Sequence, residues 1–402
     1  MRGLSVAFAL LLGLLPVILI DVSSAWGQYE IEEESPVWVR GLLDVRIARG
    51  GRSSSWTSRG PGKTRYGGRE TTRATRLTVS QLALELGAAL PWDMVARAQL
   101  NWDPDGYNDD RPLLIEAYLR KEWGEWAQGW GVQTGVMNLP FSLEHTGPAW
   151  TPQYTLTPSA LNSWLWEEGH LVGIEGEWWR VIQSRLRLGL LVGSGFGQDQ
   201  AGHLLAVRGW VLSDALHGVN SDLPLPARGQ HVPAFDEQDN RPSIYAWLTV
   251  RDLRRQAELG IGYFDNLGDQ DEPGVWGTRF GTLGVTLHPL PQVDFVSQYL
   301  IGEARHRPCR CGVSFHAFYA LLSWHHRSHR ISARYDVFRT HNQDGLPNYR
   351  DRGDAVTLAY LFEFGLQHRV GFEYIFVQSR HAQPFRSSPS DDGWQLSYRF
   401  RY

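Results

Sequence analysis

The chain has 402 residues, with 39 Lys and Arg against 43 Asp and Glu and a formal net charge of −4. This balance by itself argues neither for nor against nucleic acid, and we expect no nucleic-acid partner. The chain contains 18 Trp, 15 Tyr and 16 Phe beside 3 Met, and 42 Gly lie between short apolar segments. Beyond the first 25 residues, no apolar run reaches the roughly 20 residues that a helix needs to cross a bilayer. If the protein is embedded in a membrane, it must therefore be a β-barrel.

The amino terminus has the pattern of a secretory signal peptide, which we assign to residues 1–25. Arg2 precedes the almost wholly apolar run Val6 to Ile20, and Ser23 to Ala25 offers small residues for cleavage. A retained anchor helix is the alternative. Residues 26–35 form an acidic lead-in. Residues 36–402 show no linker or break in composition, which predicts a single β-barrel domain.

Two-residue alternation is the main structural signal in the rest of the chain. From Trp92 to Trp102, apolar side chains occupy every second position, and polar residues such as Arg97 lie between them. Ten steps of about 3.3 Å with a tilt of about 40° span roughly 25 Å along the membrane normal, so the two tryptophans would lie at opposite bilayer interfaces. The pattern predicts an all-β, transmembrane antiparallel barrel with apolar residues facing lipid and charged residues facing an aqueous lumen.

The number of strands has two alternatives. Seventeen alternating segments can be recognised, among them Leu204 to Leu212, whereas single-chain bacterial barrels usually have an even number. A weak strand near His217 to Leu225 would give about 18 strands, which we favour, and a merged or misread pair would give 16. Short turns and long connections alternate along most of the chain, as expected when one rim of a barrel carries turns and the other carries loops.

The last predicted strand resembles that of a known group of proteins. Trp394, Leu396, Tyr398, Phe400 and Tyr402 alternate with polar residues up to the carboxyl terminus. This ending resembles that of bacterial outer-membrane barrel proteins, whose last strand alternates in this way and stops on an aromatic residue. The resemblance implies a location in the bacterial outer membrane. It also implies contact with lipid and lipopolysaccharide, and recognition of the last strand by the barrel-assembly machinery.

The segment Leu139 to Gly169 interrupts the strands. Its second half has the signature of a helix, with Thr157 as the cap, Pro158 at the first position and Ser159 to Glu168 as about three turns. The helix ends on two glutamates. Because the helix dipole disfavours negative charge at a carboxyl end, we expect a positive partner for them.

In its position the same segment resembles the constriction loop of the general and phosphate-selective porins. It joins the fifth predicted strand to the sixth, and Gly135 to His145, GVMNLPFSLEH, is similar to the entry into that loop. The resemblance implies that residues 139–169 fold back into the lumen as a constriction loop. An ordinary surface loop is the alternative. The residues assigned to the constriction are Glu144, His145, Glu167 and Glu168.

Alternation also assigns charged side chains to the lumen. The residues expected to line the pore and set its selectivity are Arg40, Arg46, Arg97, Arg120, Arg185, Arg187, Arg251, Arg334, Arg399, Glu116 and Asp336. The alternative is that these charges form an ordinary solvated wall, in which they pair across strands and do not set selectivity. Phosphate-selective porins line the pore with lysine clusters, whereas this chain has only Lys63 and Lys121. Arginine binds phosphate bidentately, so an anion preference stays open.

Other candidate sites give weak signals. Cys309 and Cys311 are close enough in sequence for a strained disulfide, and with nearby histidines a soft-metal site is the alternative. His325, His326 and His329 lie at a predicted short turn, with no serine or acid at a spacing that would connect them into a catalytic group. We therefore expect no enzymatic activity, no cofactor and no metal site.

These patterns predict an outer-membrane porin that forms a water-filled channel for passive diffusion of small hydrophilic solutes and ions. A homotrimer is expected by analogy with porins. The alternative is a structural or binding barrel with a plugged lumen that engages a partner through its loops.

Overall fold

The computed structural model describes residues 36–68, 72–104, 111–226, 230–254, 257–343, 350–381 and 391–402. The predicted signal peptide, residues 1–25, and the acidic lead-in, residues 26–35, lie outside the described residues.

Sixteen antiparallel strands close into a barrel, in which β1 pairs with β2 on one side and with the last strand on the other. Two further strands, β8 and β9, form a separate hairpin. The strands are β1 (Val37–Arg49), β2 (Thr75–Leu90), β3 (Met94–Trp102), β4 (Leu113–Glu125), β5 (Gln128–Asn138), β6 (His170–Ile182), β7 (Leu186–Phe196), β8 (Asp222–Pro224), β9 (His231–Pro233), β10 (Ser243–Asp252), β11 (Ala257–Asp265), β12 (Gly277–Leu290), β13 (Val293–His306), β14 (Cys311–His326), β15 (His329–Asn342), β16 (Asp351–Phe364), β17 (His368–His381) and β18 (Asp391–Arg401).

The two rims of the barrel differ in the length of their connections. Short turns, such as those between β2 and β3 and between β16 and β17, join strands at the rim where β18 ends. Long connections, including residues 50–74, 139–169 and 197–242, leave the opposite rim. The predicted separation of turns and loops is therefore confirmed, and we call the two ends the short-turn rim and the long-loop rim.

Three long connections fold into the barrel. Residues 50–68 contain the 3-10 turn Trp56–Ser58. Residues 139–169 contain the 3-10 turn Pro148–Trp150 and helix α1 (Ala160–Glu168), all of whose residues are buried. Residues 197–242 contain helix α2 (His203–Val207) and the β8–β9 hairpin. We call these the first, second and third luminal segments. None of the helices in the described residues is long and apolar enough to cross a membrane.

The strand number is the lower of the two that alternation allowed. The predicted strand Leu204 to Leu212 is wrong, because these residues form α2 and an irregular run inside the barrel. The stretch near His217 to Leu225 contributes only β8 and adds no barrel strand. Leu204 and Leu223 pack in one small cluster inside the lumen. The apolar residues in this stretch are therefore buried between luminal segments and do not face lipid.

The two faces of the strands follow the predicted alternation. Leu82 on β2 lies opposite Trp102 on β3 and is 43% exposed on the outside of the barrel. Arg97 points the other way, where its side chain contacts Glu85 at 2.7 Å and Glu116 at 3.0 Å. Apolar side chains thus cover the outer surface and charged side chains occupy the inner wall.

Candidate functional site

The inner wall holds the second luminal segment through one buried arginine. Arg334 on β15 donates to Glu144 (2.9 Å), to Asp336 (2.8 Å) and to the backbone carbonyls of Thr157 (2.6 Å) and Pro158 (2.9 Å). Both ion pairs are almost completely shielded from solvent. Arg334 and Asp336 therefore face inward as alternation predicts, but the luminal segment covers them.

The same carboxylates complete the amino-terminal end of α1. Glu144 accepts the backbone N–H of Ser159 at 2.8 Å, and Asp336 accepts that of Ala160 at 3.1 Å. Negative charge is favourable here because the first N–H groups of a helix have no partner within the helix. The helix cap is Ser159, whose Oγ accepts from the N–H of Asn162. The predicted cap, Thr157, instead donates its backbone N–H to a wall carboxylate.

Of the two glutamates at the other end of α1, Glu167 has the positive partner expected from the sequence, whereas Glu168 is bound by N–H groups. Glu167 accepts a 2.6 Å hydrogen bond from Arg208, just beyond α2. Glu168 accepts the backbone N–H groups of Gly202 (2.9 Å) and Leu204 (3.0 Å) at the amino-terminal end of α2. The second luminal segment is thereby fixed to the third.

Burial changes the protonation of these luminal groups. It raises the pKa of Glu168 to about 7 and raises the pKa of Glu167, although the Arg208 charge acts in the opposite direction on Glu167. Burial, with a smaller contribution from the Arg334 charge, lowers the pKa of His145 to about 3. His145 accordingly stays neutral at pH 7, with Ser142 2.8 Å from its Nδ1.

Aromatic packing fills the long-loop half of the lumen. Trp164 on α1 contacts the rings of Trp210, Phe280 and Phe315 at centroid distances of 5.8, 5.3 and 5.1 Å. Residues from the second and third luminal segments and from the walls of β10 to β17 form one continuous buried cluster. This half differs from the water-filled lumen expected from sequence, because strands β10 to β17 turn apolar side chains towards the luminal segments.

Ion pairs also join the first and third luminal segments to the wall. Lys63 Nζ lies 2.7 Å from Asp351 on β16 and donates to the Trp210 carbonyl at 2.9 Å. Asp214 of the third segment lies 2.6 Å from Arg46 and 3.3 Å from Arg65. Sequence reasoning missed these contacts. The available signal was Lys63, one of two lysines in the chain, within a loop otherwise rich in Gly, Ser and Arg.

A shared carboxylate links the two arginines nearest the seam between the first and last strands. Asp44 on β1 accepts from Arg46 at 3.1 Å and from Arg399 on β18 at 2.8 Å, and all three side chains are buried. Arg46 and Arg399 therefore belong to the inner wall as predicted, and they are paired.

Charged residues remain accessible in the short-turn half of the lumen. Arg120 lies between Glu122 (2.7 Å) and Glu177 (2.6 Å) and is 26% exposed. Arg251 pairs with Glu258. Arg40 is 62% exposed and 3.6 Å from Glu85.

Arg187 lies 5.5 Å from the Trp179 ring and forms no ion pair among the described residues. Arg185 lies outside this group, because it pairs with Asp252 at the short-turn rim.

The remaining sequence candidates do not combine into a reactive site. Cys309 and Cys311 form a disulfide. His325 is 3.5 Å from an inward carboxylate, whereas His326 stacks on Trp324 and His329 bonds to Tyr360 on the outer surface. His326 and His329 lie opposite each other on the outer face, but His325 points to the other face, so the three histidines do not converge.

One acidic cluster at the long-loop rim was absent from the sequence predictions. Asp199, Glu237 and Asp239 have carboxylate oxygens within 4.8 Å of one another. Asp199 accepts the backbone N–H groups of Gln238 and Asp239. This cluster closes the base of the third luminal segment.

No protein-family model and no curated protein matches the chain. Among solved structures, the chain is similar to the outer membrane channel DcaP of Acinetobacter baumannii, with a TM-score of 0.57, and to an anion-selective porin from Comamonas acidovorans, with 0.55. It is also similar to a loop-deletion mutant of OmpT, an outer membrane protein of Vibrio cholerae, with 0.54. Each of the three is 10% identical to this chain and covers 91% of it. The similarity extends over 97% of the DcaP chain and over 99% of each of the other two chains. The chain has a porin-like β-barrel fold.

Proposed function

We propose that this protein is a bacterial outer-membrane porin that lets small hydrophilic solutes and ions diffuse through a narrow channel. The observation that carries the proposal is the division of the barrel wall. Its outer face is apolar, whereas its inner face carries accessible charges such as Arg40, Arg120 and Glu177 in the short-turn half. Because these side chains stay exposed inside the barrel, water and ions can reach them, as in the polar lumen of a porin.

The luminal segments would set the size of the channel. The second segment lies against β14 and β15, as a constriction loop does, and the third is fixed to it through Glu167 and Arg208. Three luminal segments leave a smaller open cross-section than a single constriction loop would. We therefore expect a small single-channel conductance and exclusion of larger solutes.

An anion preference is the finer part of the proposal. Most inward arginines are balanced by a carboxylate, as Arg97 is by Glu85 and Glu116. Arg187 has no ion pair in the described part of the chain, and Arg40 is largely exposed. These two leave positive charge on the path of an ion, and fixed charge on a pore wall favours counterions.

The cellular setting follows from the same proposal. Residues 1–25 would direct export, and residues 26–35 would precede the barrel. The last strand would be recognised by the barrel-assembly machinery, and the apolar outer face would contact lipid and lipopolysaccharide. We propose a homotrimer without enzymatic activity, cofactor or metal. The trimer form of in-vitro folded OmpT, an outer membrane protein of Vibrio cholerae, has a similar fold.

A second candidate is a plugged barrel that binds a partner through its loops. Trp164, Trp210 and Phe315 favour it, because their close packing excludes water from part of the lumen. In this case the charged short-turn half would be a closed vestibule.

Ion conductance in planar bilayers separates the two candidates. The folded protein should produce discrete channels in potassium chloride, and a salt gradient should give a reversal potential on the anion side. Replacing Arg40 and Arg187 by Gln should move that potential towards cation selectivity. Replacing Arg279, on the outer face, is the matched control and should not move it. If folded protein never conducts, the porin proposal fails, and an unmoved reversal potential removes the two arginines from the ion path.

A further inference from the structure

Three arginines form a row on the outside of the barrel. Arg339 on β15 lies directly opposite Arg352 on β16, which in turn lies directly opposite Arg380 on β17. All three are exposed. His316 on β14 continues the row beside Arg339. Four neighbouring strands thus present basic side chains at one level near the long-loop rim.

The row lies immediately beyond the apolar part of the outer surface. Along β15 the outward side chains include Ile331, 53% exposed, and Tyr335, 47% exposed, before Arg339 is reached. Arg339 is ten residues beyond His329 at the short-turn rim. At about 3.3 Å a residue and a tilt of about 40°, this separation is roughly 25 Å, the height of the apolar band of an outer-membrane barrel.

Unlike basic residues on the nearby strands β12 and β13, these arginines have no counterion among the residues that the structure describes. Arg279 and Arg305, on β12 and β13, both contact Glu303, at 2.5 and 2.8 Å. Neither Arg339 nor its two neighbours in the row forms an ion pair with any residue that the structure describes. The acid nearest in the strand pattern is Asp354, two residues from Arg352, and one carboxylate cannot neutralise three guanidinium groups.

Like charges directly opposite each other on neighbouring strands are unfavourable. An anionic partner at this level would therefore stabilise the row. A guanidinium group matches phosphate well, because its N–H groups form two parallel charge-assisted hydrogen bonds with the oxygens. The apolar surface directly below the row, on the same strands, suits acyl chains.

We propose that the Arg339, Arg352 and Arg380 row binds the phosphate groups of a glycolipid in the outer leaflet, with its acyl chains on the apolar surface below. The site rests on the proposed outer-membrane location, since long loops face outward in such barrels. It does not depend on an open lumen. A phosphorylated headgroup attached to chains in the membrane is favoured over free phosphate, because only the lipid uses both the arginines and the surface beneath them.

Lipid binding by the purified, folded full-length protein in detergent tests the site. The probe is bis-phosphorylated lipid A, titrated and detected by native mass spectrometry. Dephosphorylated lipid A and inorganic phosphate serve as separate ligands. We expect the wild type to bind bis-phosphorylated lipid A at least tenfold more tightly than a variant in which Arg339, Arg352 and Arg380 are all Gln. We also expect this difference to shrink as salt is added.

Two further variants make the result decisive. Replacing the three arginines by Lys keeps the charge and should retain most of the binding at low salt, which also shows that the strands tolerate substitution. Replacing Arg279 and Arg305 by Gln removes paired arginines from the nearby strands β12 and β13 and should leave binding unchanged. Equal binding by the wild type and the triple Gln variant overturns the proposal. Binding of inorganic phosphate as tight as that of bis-phosphorylated lipid A also overturns it, because the site would then be one for a soluble anion. Channel recordings of the same variants report separately on the porin function.

Discussion

At the scale of single residues, Arg334 shows how a charge can be both inward-facing and structural. Five donors in a rigid fork let one side chain bind the wall carboxylate of Asp336 together with the Glu144 carboxylate and two carbonyls of the second luminal segment. Alternation predicts that Arg334 and Asp336 face the lumen. It could not predict the partner Glu144, which is 190 positions away, because that contact depends on how the loop folds across the barrel.

Removing the Arg334 charge should loosen the second luminal segment. In the variant Arg334→Gln, Glu144 and Asp336 would stay buried without a cation, which typically costs about 3 to 5 kcal/mol. Hydrogen exchange of the amides in residues 159–163 measures this cost as a lower free energy of local opening.

Two comparisons support that measurement. The triple variant Arg334→Met, Glu144→Gln and Asp336→Asn removes all three charges together and should recover part of the protection. Arg279→Gln removes an exposed ion pair and should cost no more than about 1 kcal/mol. Unchanged protection in Arg334→Gln would mean that the segment is held without this network.

At the scale of elements, the sequence predicts the barrel strands well and the luminal segments poorly. Strand β3, Met94–Trp102, lies within the alternating segment Trp92 to Trp102 and ends on the same residue, because lipid on one side and polar groups on the other impose a period of two. Residues 204–212 have a similar apolar content but pack against other luminal side chains. Their environment is apolar on several sides, so periodicity cannot distinguish a short buried helix from a strand.

The second luminal segment should respond to pH through His145 on one side and through Glu167 and Glu168 on the other, with opposite effects. Burial holds the pKa of His145 near 3, whereas an exposed histidine titrates near 6.5, so acid favours the open segment between these values. Burial raises the pKa of Glu168 from 4.5 to about 7, so acid favours the packed segment in that window. Below about pH 4.5 only the histidine effect remains.

Exchange protection of residues 139–169, corrected for the intrinsic exchange rate, should therefore fall when the pH drops from 4.5 towards 3. The variant His145→Asn should lose less protection over this range, and the exposed His341→Asn should behave as the wild type. A wild-type segment whose protection stays constant down to pH 3 would contradict the buried, neutral state of His145.

At the scale of the whole molecule, the barrel has two different halves. The long-loop half is filled by three luminal segments around Trp164, and the short-turn half keeps accessible charges such as Arg120. Composition and alternation predict the shell and its two faces. They do not predict how much of the interior is filled, because filling depends on contacts between segments far apart in sequence.

The third luminal segment can be removed at a defined place. Its two ends are adjacent, since Asp199 N–H donates to the Asp236 carbonyl and Gly197 N–H donates to Glu237. Residues 200–235 can therefore be replaced by a short glycine linker without stretching β7 or β10. Deletion of the exposed residues 271–273 between β11 and β12 gives a control deletion, because the contacts of these three residues are with residues 269, 275 and 307 and with no luminal segment.

The most direct test of a narrowed porin is single-channel conductance of these deletion proteins beside the wild type, after each is shown to be folded. We predict small channels from the wild type and from the 271–273 deletion, and a conductance several times larger when residues 200–235 are removed. Folded proteins that remain silent both with and without residues 200–235 would contradict it and favour a barrel that binds a partner.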